Sequence, residues 1–198
     1  KEAKNILSLD ENKKYILVSG GSMGAGDISK LVKKLSDALN DDEGIIVICG
    51  TNKKLYKQLI DENIPHVIIK GQVNNMPVYM KACDVIYTKP GGLTVSEAIA
   101  STLPMAIFSA FPGQEEDNAI YLEKNNMAVR LPKKNSGRVV HDLLLNPERL
   151  DAMKVACQMN YRENSAGRVV ELAEKLVEQY RQKEKESKLS AENEQQKQ

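Results

Sequence analysis

The sequence predicts an α/β fold: a Rossmann-like, doubly wound parallel sheet of about six strands, with extra helices at its C-terminal end. Three observations predict it. Short apolar runs alternate with amphipathic helical stretches from Tyr15 to Leu131. The run IIVIC at 45–49 is solid rather than alternating, which suits a central strand covered on both faces. The first run, YILVSGG, stops in glycines and is followed by a helical stretch, as the opening of an α/β unit does.

Residues 1–14 are polar and mixed, and read as a linker or the start of the domain. The first strand begins at Tyr15. Residues 27–39 carry Ile28, Leu31, Val32, Leu35 and Leu39 at helical spacing. After the strand at 45–49 the alternation continues with a helix at 53–62, a strand at 66–69, a short helix at 75–82 and a strand at 84–87. A helix at 93–102, a strand at 105–109, a helix at 116–125 and a strand at 127–131 complete it. Beyond residue 136 the pattern is helical: one helix at 137–145, Pro147 near a further helix start, and a last helix at 166–182. That last helix has Val169, Leu172, Ala173, Leu176, Val177 and Tyr180 as its apolar stripe. The domain is thus expected over 15–182, and the polar tail at 183–198 is expected to be frayed or disordered.

The 198 residues suit one α/β domain with a tail. Hydrophobic residues at 41% and charged residues at 28% are ordinary for a soluble globular chain. A net charge of +1 gives no bulk field to attract nucleic acid, and none is expected as a partner. Three cysteines without a CxxC pair, and only two histidines, argue against a structural zinc site and fit a reducing cytosol. No stretch approaches the roughly 20 apolar residues of a membrane span. The chain opens on Lys1 without a signal segment, which suggests that it begins inside a longer gene product.

Four segments sit where an open α/β sheet binds ligands, beyond the carboxyl ends of strands. The first, SGGSMGAG at 19–26, includes Gly20, Gly21, Ser22 and Gly24. Its glycines let backbone N–H groups approach an anion such as a phosphate, or serve only a tight turn. Its spacing is neither GxGxxG nor a P-loop, which disfavours a nicotinamide dehydrogenase. The second, around Val73, offers backbone groups to a base edge; alternatively Asn74 or Asn75 caps the next helix. The third, KPGGLTVSEA at 89–98, meets a helix start whose free N–H groups can hold a diphosphate. There Glu97 can accept two ribose hydroxyls; equally, Thr94 and Glu97 have capping-box spacing. In the fourth, FPGQEEDN at 111–118, Gln114 and Glu115 can read sugar hydroxyls, with Asn118 a turn further. Its alternative is an acidic first helical turn favoured by the dipole. His66 and His141 lie on apolar elements and read as structural, so no general base is evident.

The order VSGGSMGAG, TKPGGLTVSEA, LPMAIF and PGQEEDN resembles the C-terminal domain of the monogalactosyldiacylglycerol synthase and processive diacylglycerol glucosyltransferase family. It is more distantly similar to the peptidoglycan N-acetylglucosaminyltransferase acting on lipid I. The resemblance covers roughly residues 13–180. It implies one half of a GT-B fold and an inverting hexosyltransferase that uses a UDP-sugar donor. No permanently bound cofactor and no obligatory metal are implied. Gly20 to Gly24 would lie near the diphosphate, the loop at Val73 would contact uracil, and Gly91, Gly92, Leu93 and Thr94 would bind phosphates. Glu97 would bind ribose, and Gln114 and Glu115 the sugar, with Asn118 close by. The base and the lipid acceptor, diacylglycerol by resemblance, would belong to an N-terminal domain from the same gene product or a separate chain. This chain alone is then expected to be inactive. The location implied is cytoplasmic, with the full-length protein at the cytoplasmic membrane face. The competing expectations are a non-catalytic nucleotide-binding or scaffolding domain, or part of a non-hydrolysing epimerase.

Overall fold

The computed structural model of the chain describes residues 1–19, 28–132 and 134–195, with side chains as far as residue 186. It divides into two compact units, Lys1–Tyr161 and Arg162–Gln198. The first unit is the α/β domain. Its strands are β1 (Lys14–Ser19), β2 (Glu43–Ile48), β3 (Val67–Lys70), β4 (Val85–Thr88), β5 (Met105–Ile107) and β6 (Ala128–Arg130). All five strand pairings are parallel, in the order β3-β2-β1-β4-β5-β6. The fold class expected from the sequence is the one observed.

Alternation along the central strands builds a core on each face of the sheet. Ile16, Val18, Ile45, Val47, Val85 and Tyr87 face one side. They pack on Val32 and Leu35 of α2 (Ile28–Ser36), Leu59 of α3 (Lys53–Glu62), and Val140 and Leu143 of α7 (Ser136–Leu144). Leu17, Ile46, Ile86, Met105 and Ile107 face the other side. They meet Met80 of α4 (Met76–Ala82), Val95 and Ala98 of α5 (Gly92–Ala100), and Leu122 of α6 (Gln114–Lys124). Gly44, within β2, stands opposite Tyr15; a Cβ there would lie 2.8 Å from the tyrosine ring, so glycine makes room for it.

Differences from the sequence reading lie mostly at boundaries. A short helix, α1 (Glu2–Ile6), occupies part of the expected linker, and Lys4 Nζ donates to the Lys13 carbonyl at 2.6 Å. α6 starts two residues early, at Gln114, because Gly113 (φ 93°) turns the chain and Glu115, Glu116 and Asp117 suit a helix N-terminus. α8 (Pro147–Asn160) starts at Pro147, and Asn146 caps it by accepting from the Arg149 N–H. In the second unit the backbone is helical without a break from Ser165 to Gln195 (α9), past the expected end near residue 182. The composition of residues 183–195, rich in Lys and Glu, favours helix residue by residue even without an apolar face.

Candidate functional site

Because every strand runs the same way, all their carboxyl ends share one edge of the sheet. Strand order reverses between β1 and β4, and the crevice at such a reversal is where open sheets bind ligands. Thr88, the last residue of β4, donates from its hydroxyl to the carbonyl of Ser19, the last residue of β1, at 2.8 Å. Both residues are buried.

Beyond Thr88 the chain turns through Lys89, Pro90 and Gly91 into α5. Gly91 is the N-cap and offers no side chain to the helix start. The first amide closing onto it is that of Val95, which donates to the Gly91 carbonyl at 2.9 Å. The N–H groups of Gly92, Leu93 and Thr94 therefore lack intrahelical acceptors and present the positive end of the helix dipole. Leu93 and Glu97, four residues apart, share one face of α5; Leu93 is 83% exposed and Glu97 is exposed as well. The capping-box alternative for Thr94 and Glu97 is not what forms. The helix begins earlier than that box requires, so Thr94 lies inside its first turn. Glu97 is left facing solvent.

The start of α6 converges on the same turn. Asn118 Nδ2 donates to the Pro90 carbonyl at 2.9 Å. A Cβ on Gly92 would stand 3.5 Å from Gln114 Nε2, so the Gln114 amide sits against the α5 N-terminus. Glu115 turns one oxygen back on its own loop, where Oε2 accepts the Phe111 N–H at 2.9 Å. Glu116 pairs with Arg130 at 2.8 Å. Arg130 also pairs with Glu123, and these two carboxylates push the guanidinium pKa up.

Two residues of this turn were not singled out from the sequence. Lys89 is only 8% exposed, and its Nζ lies 3.8 Å from the centroid of the Phe111 ring. Phe111 itself is 57% exposed, on the turn before α6. The sequence signal was there, a lysine directly after a strand and an aromatic ahead of PGQ, but its meaning depends on burial.

At the ends of β2 and β3, Gly50, Thr51, Lys53, Tyr56, Gly71 and Gln72 line an open cleft of about 380 Å³. The half-buried Val73 follows and packs on the core beneath the sheet. Asn75 is the N-cap of α4 but makes no side-chain cap bond, so its expected capping role is not seen. Asn52 plays that part for α3, accepting from the Leu55 N–H at 2.9 Å. Gly20, Gly21, Ser22 and Gly24 lie outside the described residues. The structure thus brings Gly91, Gly92, Leu93, Thr94, Gln114 and Asn118 together at one turn, with Glu115 next to Gln114 at the start of α6 and Glu97 a helical turn into α5.

Both histidines belong to the opposite edge. His66 immediately precedes β3 and lies 3.8 Å from Asp41. His141 lies 3.3 Å from Glu43, the first residue of β2. The cysteines are buried free thiols, and burial pushes Cys49 and Cys157 up to about 11. Among the described residues no group of three or more His, Cys, Asp or Glu could hold a metal ion, and no helix is long and apolar enough to cross a membrane.

Residues 15–169 match the glycosyltransferase family 28 C-terminal domain. A processive diacylglycerol beta-glucosyltransferase of Bacillus cereus (strain 03BB102) is 33% identical over 181 residues, covering 88% of this chain and 46% of the relative. The chain thus spans about half the length of that relative. Among solved structures, MurG of Acinetobacter baumannii superposes with a TM-score of 0.68 at 19% identity, over 87% of this chain and 52% of MurG. WaaG, a glycosyltransferase involved in lipopolysaccharide biosynthesis, does so with a TM-score of 0.66 at 15% identity, over 83% of this chain and 46% of WaaG. These two likenesses concern the fold.

Proposed function

The chain belongs to the glycosyltransferase family 28 C-terminal domains, and from that premise we propose that it is the donor-binding half of a two-domain, UDP-sugar-dependent hexosyltransferase. The observation that carries this is the uncapped N-terminus of α5 at the switch point, with the Gln114 amide against it and the Glu97 carboxylate free one turn in. The N–H groups of Gly92, Leu93 and Thr94 hold the diphosphate. Glu97 accepts the ribose hydroxyls, and the loop at Val73 borders the base. Gln114 and the free oxygen of Glu115 read the sugar. Gly20, Gly21, Ser22 and Gly24, which follow β1 in sequence, are assigned to the diphosphate by the family resemblance.

In transfer, an acceptor hydroxyl oxygen bonds to the anomeric carbon as the bond from that carbon to the diphosphate oxygen breaks. Inversion follows from attack on the opposite face. Charge grows on the departing diphosphate, and the fixed dipole of α5 stabilises it without reorganising. The acceptor proton passes to a base on the other half of the protein, as the family resemblance implies. The relatives named for diacylglycerol make a lipid acceptor, diacylglycerol itself, the reading for the complete protein, working at the cytoplasmic face of a membrane.

Calorimetric titration of the chain with UDP, beside ADP and NAD, tests this directly. UDP is expected to bind selectively, and that binding is expected to be lost in Glu97→Ala. Equal binding of the three nucleotides, or indifference to Glu97→Ala, would sink the reading. The chain alone is expected to transfer no sugar.

A further inference from the structure

We propose that Lys89 supplies a full positive charge to the diphosphate, and that Phe111 holds this charge in place while the site is empty. The proposal rests on the donor-site reading above and deepens it. Lys89 is more than nine-tenths buried, yet no carboxylate pairs with it among the described residues. A buried cation without an anion is costly, and such charges are normally paired or functional. What faces Nζ is the ring of Phe111 at 3.8 Å, an electron-rich surface that replaces only part of the lost hydration.

Lys89 also lies three residues before Gly92, at the turn whose amides are unsatisfied by any side-chain cap. A cation and a helix N-terminus at one turn favour a multiply charged anion over a singly charged or neutral ligand. Phe111 sits on the loop held by Glu115 Oε2, the loop that leads into Gln114 at the start of α6. Transfer of the ammonium from ring to diphosphate therefore couples arrival of the anion to the loop that borders the sugar.

The test uses uridine, UMP and UDP as probes on the unaltered chain and on Lys89→Met, Lys89→Arg and Phe111→Leu. Lys89→Met is expected to reduce the preference for UDP over uridine by about tenfold or more while uridine affinity stays unchanged. Lys89→Arg should keep most of that preference, and Phe111→Leu should leave it within about twofold. A second measurement needs no variant. The ε-methylene proton resonances of Lys89, displaced by the Phe111 ring current in the free chain, should return toward ordinary positions with UDP and not with uridine. An unchanged UDP preference in Lys89→Met, or resonances unmoved by saturating UDP, overturns the proposal while leaving the donor-site reading standing. Absence of binding by all three probes removes both.

Discussion

The hydroxyl of Thr88 donates to the carbonyl of Ser19 at 2.8 Å, joining the last residues of the two strands between which the sheet order reverses. Thr88→Val keeps the β-branched shape and removes the donor. It leaves the buried Ser19 carbonyl short of a partner at the mouth of the site. The loss should be about 1–2 kcal/mol. It is read as a lower urea midpoint with an unchanged slope; an unchanged midpoint would mean that the bond contributes nothing net.

Glycine-to-alanine substitutions at two helical positions should have opposite signs. At Gly137 in α7, a Cβ would stand 2.5 Å from the Lys34 carbonyl oxygen and 3.1 Å from Leu35 Cα, both backbone atoms of α2. Overpacking of about 1–3 kcal/mol exceeds the roughly 1 kcal/mol gained in helix propensity. Gly137→Ala should therefore lower the melting temperature by several degrees. At Gly167 in α9 the atoms met belong to the exposed side chain of Asn164, which can move aside. Gly167→Ala should raise helicity by circular dichroism.

The architecture was legible because its signals are local. Val, Ile and Leu runs ending in glycine mark parallel strands whichever partner they take. The start of α5 was legible only in part. Gly91-Gly92 reads equally as two turn residues or as a cap and a first helical residue, and that one-turn ambiguity made Glu97 look like a capping residue. The role of Asn75 misled for a similar reason: an Asn before a helix signals a cap, but the side chain forms no such bond, whereas Asn52 and Asn146 do. Lys89 escaped because a lysine is ordinarily solvated, and only the packing of Phe111 over it reveals a buried charge. The end of α9 escaped because polar composition says that a segment lacks a core, not that it lacks a helix.

Stability should fall as the solution becomes more alkaline than about pH 9. Burial holds Cys49 and Cys157 near 11, above the ordinary thiol value of 9.0, and raises Cys83, Tyr15 and Tyr87 in the same direction. Between the unfolded and folded values the folded chain binds more protons than the unfolded one, so stability decreases with rising pH. The contribution of each thiol is complete below about pH 9 and is lost as pH rises through about 11 for Cys49 and Cys157. Chemical denaturation at a series of pH values checks this. A Cys157→Ala chain, less stable overall, should show a shallower alkaline decline, and an equal decline would exclude that thiol as a cause.

Asn118 is best tested by two substitutions that differ in charge. Its Nδ2 donates to the Pro90 carbonyl at 2.9 Å, so α6 is pinned to the turn that opens α5. Asn118→Ala removes the donor and should cost about 1 kcal/mol of stability, with UDP affinity falling because the turn that opens α5 is no longer pinned. Asn118→Asp keeps the shape but sets a carboxylate against a carbonyl, two acceptors without a proton between them. It also places a negative charge beside the helix start that would hold the diphosphate. Repulsion then adds to the lost bond, so UDP affinity should fall further than in Asn118→Ala, and the gap between the two variants should narrow for uridine, which carries no phosphate. If the two variants bind UDP equally well, the turn at Pro90 does not face the phosphates, and the placement of the diphosphate at α5 fails with it.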